Sequence, residues 1–321
     1  MDWYQDKTDG TREGASRPVP ADGDTQVWGS YLQANIPLAQ SWSLNPGVRY
    51  DSFSTQASNV ANSKRSNDHL SPSVGLSWQT TDWLRLTARY DEAFRAPTTE
   101  ELYTTGTHYC MGPGMCNTFV PNPDLKPETA QNKELSADMK FRDLLGDDSL
   151  KFKGSLFQND VKDFIETVYT ATTTTYQNTT NARLQGYELA AHYRWREITT
   201  ALSYGQTRGT NRDNGQALSD IPADTWVWEI GHSFMQRDLN IGAQFTHAGS
   251  QDRVPSSSSV EGYSGYTITN LYMRWQPAMG TFSGVTVDVG VDNLTNRDYR
   301  QAFANLDSPG RNIKLNVRYQ F

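Results

Sequence analysis

The sequence lacks a continuous apolar segment. Hydrophobic residues make up 36% of its 321 residues and the mean hydropathy is −0.69. No apolar run approaches the roughly 18 residues that a transmembrane helix needs. A helical membrane protein is therefore excluded. Membrane-spanning strands of a barrel remain possible, because such strands show their apolar residues only at every second position.

Positive charge and catalytic motifs are also scarce. The formal net charge is −7, so there is no basic surface of the kind that indicates a nucleic-acid partner. The sequence has no nucleophile elbow, no metal-site spacing and no glycine-rich phosphate loop. We therefore expect neither an enzyme nor a nucleic-acid-binding protein.

Cysteine is nearly absent, and only Cys110 and Cys116 occur. Two cysteines six positions apart can form a weak metal pair or close a small disulfide loop. Because there is no second pair, we favour a disulfide formed in an oxidising compartment. Met1 is not followed by the charged and apolar regions of a signal peptide. If the protein is exported, we expect its N-terminal part to be missing here.

The sequence does contain a period-two alternation of apolar and polar residues, which runs with interruptions from Thr25 to the end. In the last strand, Ile313, Leu315 and Val317 alternate with Lys314, Asn316 and Arg318. The alternation predicts about thirteen strands of roughly ten residues, the length that a tilted strand needs to cross a bilayer. The clearest of the others lie at 28–36, 42–51, 74–78, 83–93, 187–195, 199–207, 223–234, 239–248, 266–275 and 281–294.

Long polar connections alternate with short turns along the chain. The long ones are predicted at 1–24, 52–68, 94–128, 160–180, 208–222 and 249–265. A soluble β-sandwich also exposes one polar face, but alternating long and short connections are typical of outer-membrane barrels. Phe321, at the end of an amphipathic strand, resembles their C-terminal aromatic residue. We predict an all-β fold, with residues 1–321 forming part of a transmembrane antiparallel β-barrel.

The faces of this predicted barrel follow from the cost of burying charge. A charge that faces lipid at mid-membrane costs about 2–4 kcal/mol, so the apolar faces should meet lipid and the charged faces the lumen. His192 should share the lumen face with Glu188 and Arg194. His232 and His247 have the parity of lipid-facing residues, and His69 should lie near the rim.

The segment 94–128 is the longest connection and shows no periodicity. Passive hairpin loops have only a few residues, so a connection of this length indicates function. Two short boxes bound it, and His108 is the only histidine between them. The boxes are Phe94-Arg95-Ala96-Pro97 and Asn122-Pro123-Asp124-Leu125.

The two boxes resemble the FRAP and NPNL boxes of TonB-dependent outer-membrane haem receptors of the hemophore-binding type. Asp124 departs from the second asparagine of that pattern, a mild change in a turn. Segments 184–188 (LQGYE) and 291–295 (VDNLT) are also similar to the family. The resemblance implies a barrel of about 22 strands closed around a plug. This chain would supply its C-terminal part, without the plug and the TonB-contacting segment.

The resemblance also implies a ligand and a site. Haem would be the transported ligand, and His108 would bind its iron through a neutral imidazole nitrogen. In this family the second iron ligand comes from the plug. Tyr109 would stack on the porphyrin or hydrogen-bond to it. Arg95 and Lys126 would meet the haem propionates, although Arg95 can equally pair with Asp91 or Glu92.

The implied partners are haem, a hemophore or another haem-carrying protein, the TonB complex acting through the missing N-terminal region, and outer-membrane lipid. The connections 160–180 and 249–265 leave room for a protein partner. Two alternatives stay open. The first is a receptor for a ferric siderophore or another nutrient, in which His108 is incidental. The second is a barrel used for adhesion or as a phage or bacteriocin receptor.

Overall fold

The structure is a computed structural model that describes residues 1–8, 18–19, 22–58, 60–256, 258 and 260–320. In these ranges the chain forms 18 strands, one α-helix and one short 3-10 helix. No helix in these ranges is long and apolar enough to cross a membrane. The helices are α1 (Thr99–Tyr103) and the 3-10 helix Met235–Arg237. The strands are β1 (Asp2–Thr8), β2 (Pro18–Val19), β3 (Gly23–Gln33), β4 (Ile36–Ala39), β5 (Trp42–Ala57), β6 (Arg65–Thr81), β7 (Leu84–Arg95), β8 (Thr105–Cys110), β9 (Cys116–Phe119), β10 (Glu128–Arg142), β11 (Asp148–Tyr169), β12 (Thr173–Trp195), β13 (Ile198–Asn211), β14 (Thr225–Phe234), β15 (Leu239–Ala248), β16 (Tyr266–Trp275), β17 (Val285–Asp292) and β18 (Asn312–Tyr319).

The strands form an antiparallel meander. Each long strand from β3 to β18 pairs with the next long strand along the chain, while β1 pairs with the other edge of β3. The short strand β4 pairs with β5. Strands β8 and β9 form a small hairpin within the connection between β7 and β10. The predicted antiparallel all-β fold is confirmed, and all thirteen predicted strands are present.

The alternation of faces is clearest in β14. Trp226, Trp228 and Ile230 are exposed, whereas Val227 and Glu229 between them are partly buried. Glu229 accepts a hydrogen bond from Gln244 Nε2 at 2.7 Å on the polar face. An exposed apolar face on every second position is the pattern of a lipid-facing strand.

Aromatic residues mark the short-turn end of the meander. Trp42 stacks on Trp78 with a centroid distance of 5.0 Å, and Trp83 stacks on Phe141 at 5.1 Å. Tryptophan rings, which combine an apolar body with a polar N–H, favour the boundary between membrane and water. The short turns therefore lie at one membrane surface and the long connections extend beyond the other.

Several segments that we predicted as loops are strands, and these predictions were wrong. Residues 2–8 form β1, which pairs with β3. Most of 52–68 continues β5 and β6, and most of 160–180 is the paired outer end of β11 and β12. Strands that project past the membrane have no lipid-facing side, so they need no regular apolar alternation. Residues 9–17 and 20–21 of the predicted first loop, and Phe321, lie outside the described residues.

Buried apolar residues concentrate among the long connections. One cluster contains Ala57, Leu102, Tyr103, Leu125 and Ile165. A second contains Val161, Ala182, Leu218 and Ile221. Burial of this kind is the main driving force for packing loops in water. The long connections therefore pack against each other rather than extending singly into solvent.

Candidate functional site

The first box leads into helix α1, which the sequence analysis missed. Thr98 and Glu101 form a capping box at its start: Thr98 Oγ1 accepts from the Glu101 N–H at 3.2 Å, and Glu101 Oε2 accepts from the Thr98 N–H at 2.8 Å. The helix buries Leu102 and Tyr103, and the Tyr103 hydroxyl donates to the Ser63 carbonyl at 2.7 Å. Burial raises the pKa of the Tyr103 phenol. The segment is thus anchored at its beginning.

Arg95 of the first box binds two carboxylates. Its Nε donates to Glu128 at 2.6 Å, and its Nη1 donates to Glu101 at 2.9 Å. The alternative that Arg95 pairs with Asp91 or Glu92 is wrong. Glu128 lies directly opposite Arg95 in the β7–β10 ladder, and the capping box brings in Glu101.

The second box is hydrogen-bonded to helix α1 and to strand β12. The Asn122 N–H donates to the Leu102 carbonyl at 3.0 Å, and its side-chain Nδ2 donates to the Tyr176 carbonyl at 2.8 Å. The Asp124 N–H donates to Asn122 Oδ1 at 3.3 Å, so the turn uses the backbone of Asp124 rather than its side chain. Leu125 is buried in the first apolar cluster. The two boxes therefore close the base of the segment.

Between the boxes, β8 and β9 form a hairpin whose ends are joined by the expected disulfide between Cys110 and Cys116. Gly114 in its turn has a φ of +74°, a conformation that favours glycine. Strand β9 also pairs in parallel with the outer end of β12, with Thr118 opposite Thr173 and Phe119 opposite Thr174. The projecting β11–β12 hairpin thus supports the β8–β9 hairpin.

His108 lies on β8 at the junction of these two hairpins and is half-buried. Aromatic rings surround its imidazole. The ring centroid of Phe119 is 4.7 Å away, that of Tyr109 is 5.0 Å away and that of Tyr169 is 5.9 Å away. Tyr109 and Tyr169 are 40% and 60% exposed. The site therefore offers an imidazole beside accessible aromatic surface.

A buried polar chain contacts one side of the imidazole. His108 Nδ1 lies 3.0 Å from Thr174 Oγ1, and Thr174 Oγ1 donates to Asn117 Oδ1 at 2.6 Å. Asn117 Nδ2 in turn donates to the Thr170 carbonyl at 2.9 Å. Thr174 and Asn117 are 0% and 1% exposed. Among the described residues, His108 Nε2 has no hydrogen-bond partner.

The remaining predicted residues lie around this centre or away from it. Lys126 has an exposed side chain, and its backbone N–H donates to Asn178 Oδ1 at 2.8 Å.

The other histidines lie away from His108. His69 stacks on Phe94 with a centroid distance of 5.0 Å. His192 pairs with Lys151 across β11 and β12, and His247 Nδ1 lies 2.8 Å from Thr267 Oγ1. His232 is exposed on the same face of β14 as Trp228 and stacks on Phe234.

Sequence reasoning missed Asn117, Phe119, Tyr169 and Thr174. Thr174 is 66 residues from His108, and no local pattern connects them. The capping box could have been found, since Thr followed three positions later by Glu is a recognisable helix start.

The disulfide gives a direct prediction. On intact cells expressing the full-length protein, a membrane-impermeant thiol reagent should label neither Cys110 nor Cys116 unless a reductant is added. A small loop gains at most about 2–3 kcal/mol from such a bond in the chain-entropy model, so reduction should leave the barrel folded. Labelling of both residues without reductant would show that the bond is absent. Detection of the protein by surface biotinylation of lysines serves as the exposure control.

Comparison with known proteins places the chain in a family. A family model described as "TonB dependent receptor-like, beta-barrel" matches residues 1–294. The heme/hemopexin utilization protein C of Haemophilus influenzae is 36% identical, over 100% of this chain and 48% of that protein. The hemin receptor of Yersinia pestis is 31% identical, over 91% of this chain and 45% of that protein. The chain thus spans about half the length of the curated relatives it matches.

Two solved structures share the fold. The Serratia marcescens hemophore receptor HasR, a double mutant solved with its hemophore HasA and heme, superposes with a TM-score of 0.77. The two sequences are 19% identical, and the match covers 99% of this chain and 55% of the HasR chain. The copper transporter OprC superposes with a TM-score of 0.76 at 21% identity, over 94% of this chain and 49% of its own. The chain therefore belongs to the TonB-dependent receptor β-barrel family and lies in the outer membrane.

Proposed function

We propose that the intact protein is a TonB-dependent receptor that takes up haem, with His108 as an iron ligand on the extracellular side. The observation that carries the proposal is the position of His108, the single histidine between the two boxes, on a disulfide-closed hairpin and beside exposed aromatic rings. The names of two relatives that are 36% and 31% identical, a heme/hemopexin utilization protein and a hemin receptor, support it.

The chemistry of the site suits haem. A neutral imidazole nitrogen is the usual protein ligand to haem iron. Tyr109 and Tyr169 present apolar ring surface next to that nitrogen, which an apolar porphyrin plane would cover. Haem also carries two propionates, and the exposed ammonium of Lys126 is our candidate for contacting one of them. Arg95 is not retained for this role, because its guanidinium already binds Glu101 and Glu128.

A haem-carrying protein, such as a hemophore, is the proposed donor. Met111 and Met115 are 74% and 60% exposed at the tip of the β8–β9 hairpin, which also carries His108. Flexible methionine side chains suit contact with a protein surface. Energy for import would come from the TonB complex acting on parts of the receptor outside this chain.

Growth of a bacterium that lacks its own haem uptake tests the function. Expression of the intact receptor should permit growth on haem as the sole iron source, and this growth should disappear in a strain without TonB. Uptake of a ferric siderophore serves as the comparison. Growth on the siderophore but not on haem would overturn the proposal in favour of a siderophore receptor. Growth on neither, with phage or adhesion activity retained, would favour a receptor without transport.

A further inference from the structure

We propose that Asn117 and Thr174 are positioning residues that hold His108 in the tautomer with a proton on Nδ1, so that Nε2 presents its lone pair to iron. This inference rests on the proposed function only for the identity of the metal ligand. The tautomer itself follows from the hydrogen-bond chain Thr170–Asn117–Thr174–His108, here called the relay.

The relay starts at a backbone carbonyl, which fixes its direction. The Thr170 carbonyl can only accept a hydrogen bond, so the group of Asn117 that lies 2.9 Å from it must be the amide Nδ2. The other end of the amide, Oδ1, then faces Thr174 at 2.6 Å and can only accept. The reversed amide would place Asn117 Oδ1 against the Thr170 carbonyl oxygen, where neither atom has a proton to donate.

The Thr174 hydroxyl transmits this direction to the imidazole. A hydroxyl has one proton, and Thr174 uses it to donate to Asn117 Oδ1. Its oxygen therefore accepts at the second contact, 3.0 Å from His108 Nδ1, and Nδ1 must carry the donated proton. Because Thr174 is 0% exposed and Asn117 is 1% exposed, water does not compete for these bonds.

This arrangement is the one that an iron ligand requires. A neutral imidazole has one protonated and one unprotonated nitrogen, and only the unprotonated nitrogen binds a metal. Metal-binding histidines usually donate from the other nitrogen to a fixed partner, which orients the ring. Here that partner is Thr174, which lies on the projecting end of the β11–β12 hairpin. The projecting end of this hairpin therefore has a role in the site.

The tautomer can be measured without haem. In the intact apo-receptor labelled with ¹⁵N-histidine, solid-state NMR distinguishes protonated from unprotonated ring nitrogens, and the signals of His108 are those lost in His108→Ala. We expect protonated Nδ1 and unprotonated Nε2 in the wild type. Protonated Nε2 in the wild type would overturn the inference, whatever the receptor transports.

Variants of the relay test its parts. Thr174→Val keeps the shape but removes the hydroxyl, so the preference for protonated Nδ1 should be lost. Thr174→Ser should retain it. Thr175→Val is the matched control. Thr175 is the next residue along the chain, and its hydroxyl donates to the Val120 carbonyl at 2.9 Å and not to His108. An unchanged His108 spectrum in Thr174→Val would overturn the inference.

Asn117→Leu should reverse the relay. The Thr174 hydroxyl would lose its acceptor and become free to donate to Nδ1, which would favour a proton on Nε2. Retention of protonated Nδ1 in Asn117→Leu would show that Asn117 has no positioning role.

Haem titration gives a second readout. If Nε2 binds iron, Thr174→Val should weaken haem binding by about 10- to 100-fold, the usual effect of removing the partner of a metal-binding histidine. Thr174→Ser and Thr175→Val should bind as the wild type does. A tautomer change in Thr174→Val without any change in haem binding would reject His108 Nε2 as the iron ligand while leaving the relay intact.

Discussion

His108→Ala in the intact receptor should lower haem affinity by more than the roughly 10- to 100-fold that removal of a histidine's hydrogen-bond partner causes. The substitution removes the iron ligand itself rather than a group that positions it. It should leave the barrel folded, because His108 is half-buried on a loop hairpin that the disulfide and the pairing of β9 with β12 hold in place. Titration of the purified receptor with haem measures the effect.

His247→Ala is the control for this experiment. His247 also lies near the long connections and bonds to a threonine, with Nδ1 2.8 Å from Thr267 Oγ1, but it is exposed on the outer face of β15. It should bind haem as the wild type does. Equal affinity in His108→Ala and the wild type would reject His108 as a ligand and favour the siderophore alternative.

Glu128→Leu should destabilise the segment between the two boxes by about 3 kcal/mol. This is the low end of the cost of removing one partner of a buried ion pair, which leaves the other charge uncompensated. The Glu128 side chain is only 12% exposed, binds Arg95 Nε and accepts the Ile165 N–H at 2.8 Å. We choose the low end because Arg95 is 42% exposed and keeps Glu101 as a partner. Hydrogen–deuterium exchange of residues 96–127 should show the loss as faster exchange.

Arg300→Leu provides a matched measurement on an exposed pair. Arg300 binds Asp307 at 2.8 Å, with side-chain exposures of 49% and 72%. Exposed ion pairs contribute about 0–1 kcal/mol, so exchange around residues 293–311 should hardly change. Equal effects of the two variants would show that the Arg95–Glu101–Glu128 group does not hold the segment.

The fold could be predicted from the sequence wherever the two faces of a strand meet different surroundings. In β14, Trp226, Trp228 and Ile230 face outward, and the inner face carries Glu229 and Ser233, so the alternation is visible. The same rule failed for the outer ends of β11 and β12, which have no lipid-facing side. Residues such as Val161, Ile165 and Thr174 are buried there against other connections without a regular alternation. The threonine tract at 172–175 was an available warning, since β-branched residues favour strands.

The candidate site could be predicted only in part. The two boxes and the single histidine identify His108 and the cysteines by their order along the chain. The residues around His108 come from three other strands: Asn117 and Phe119 from β9, Tyr169 from β11, and Thr174, 66 residues away, from β12. Their contribution depends on how the two hairpins pack, and no local residue pattern records that packing.

The most direct test is the electronic spectrum of haem bound to the intact receptor, compared between the wild type and His108→Ala. If His108 binds the iron and the rest of the receptor supplies the second axial ligand, the wild-type complex should be six-coordinate and low-spin. The His108→Ala complex should lose that character. Identical absorption and electron paramagnetic resonance spectra for the two complexes would contradict the assignment of His108 as the iron ligand.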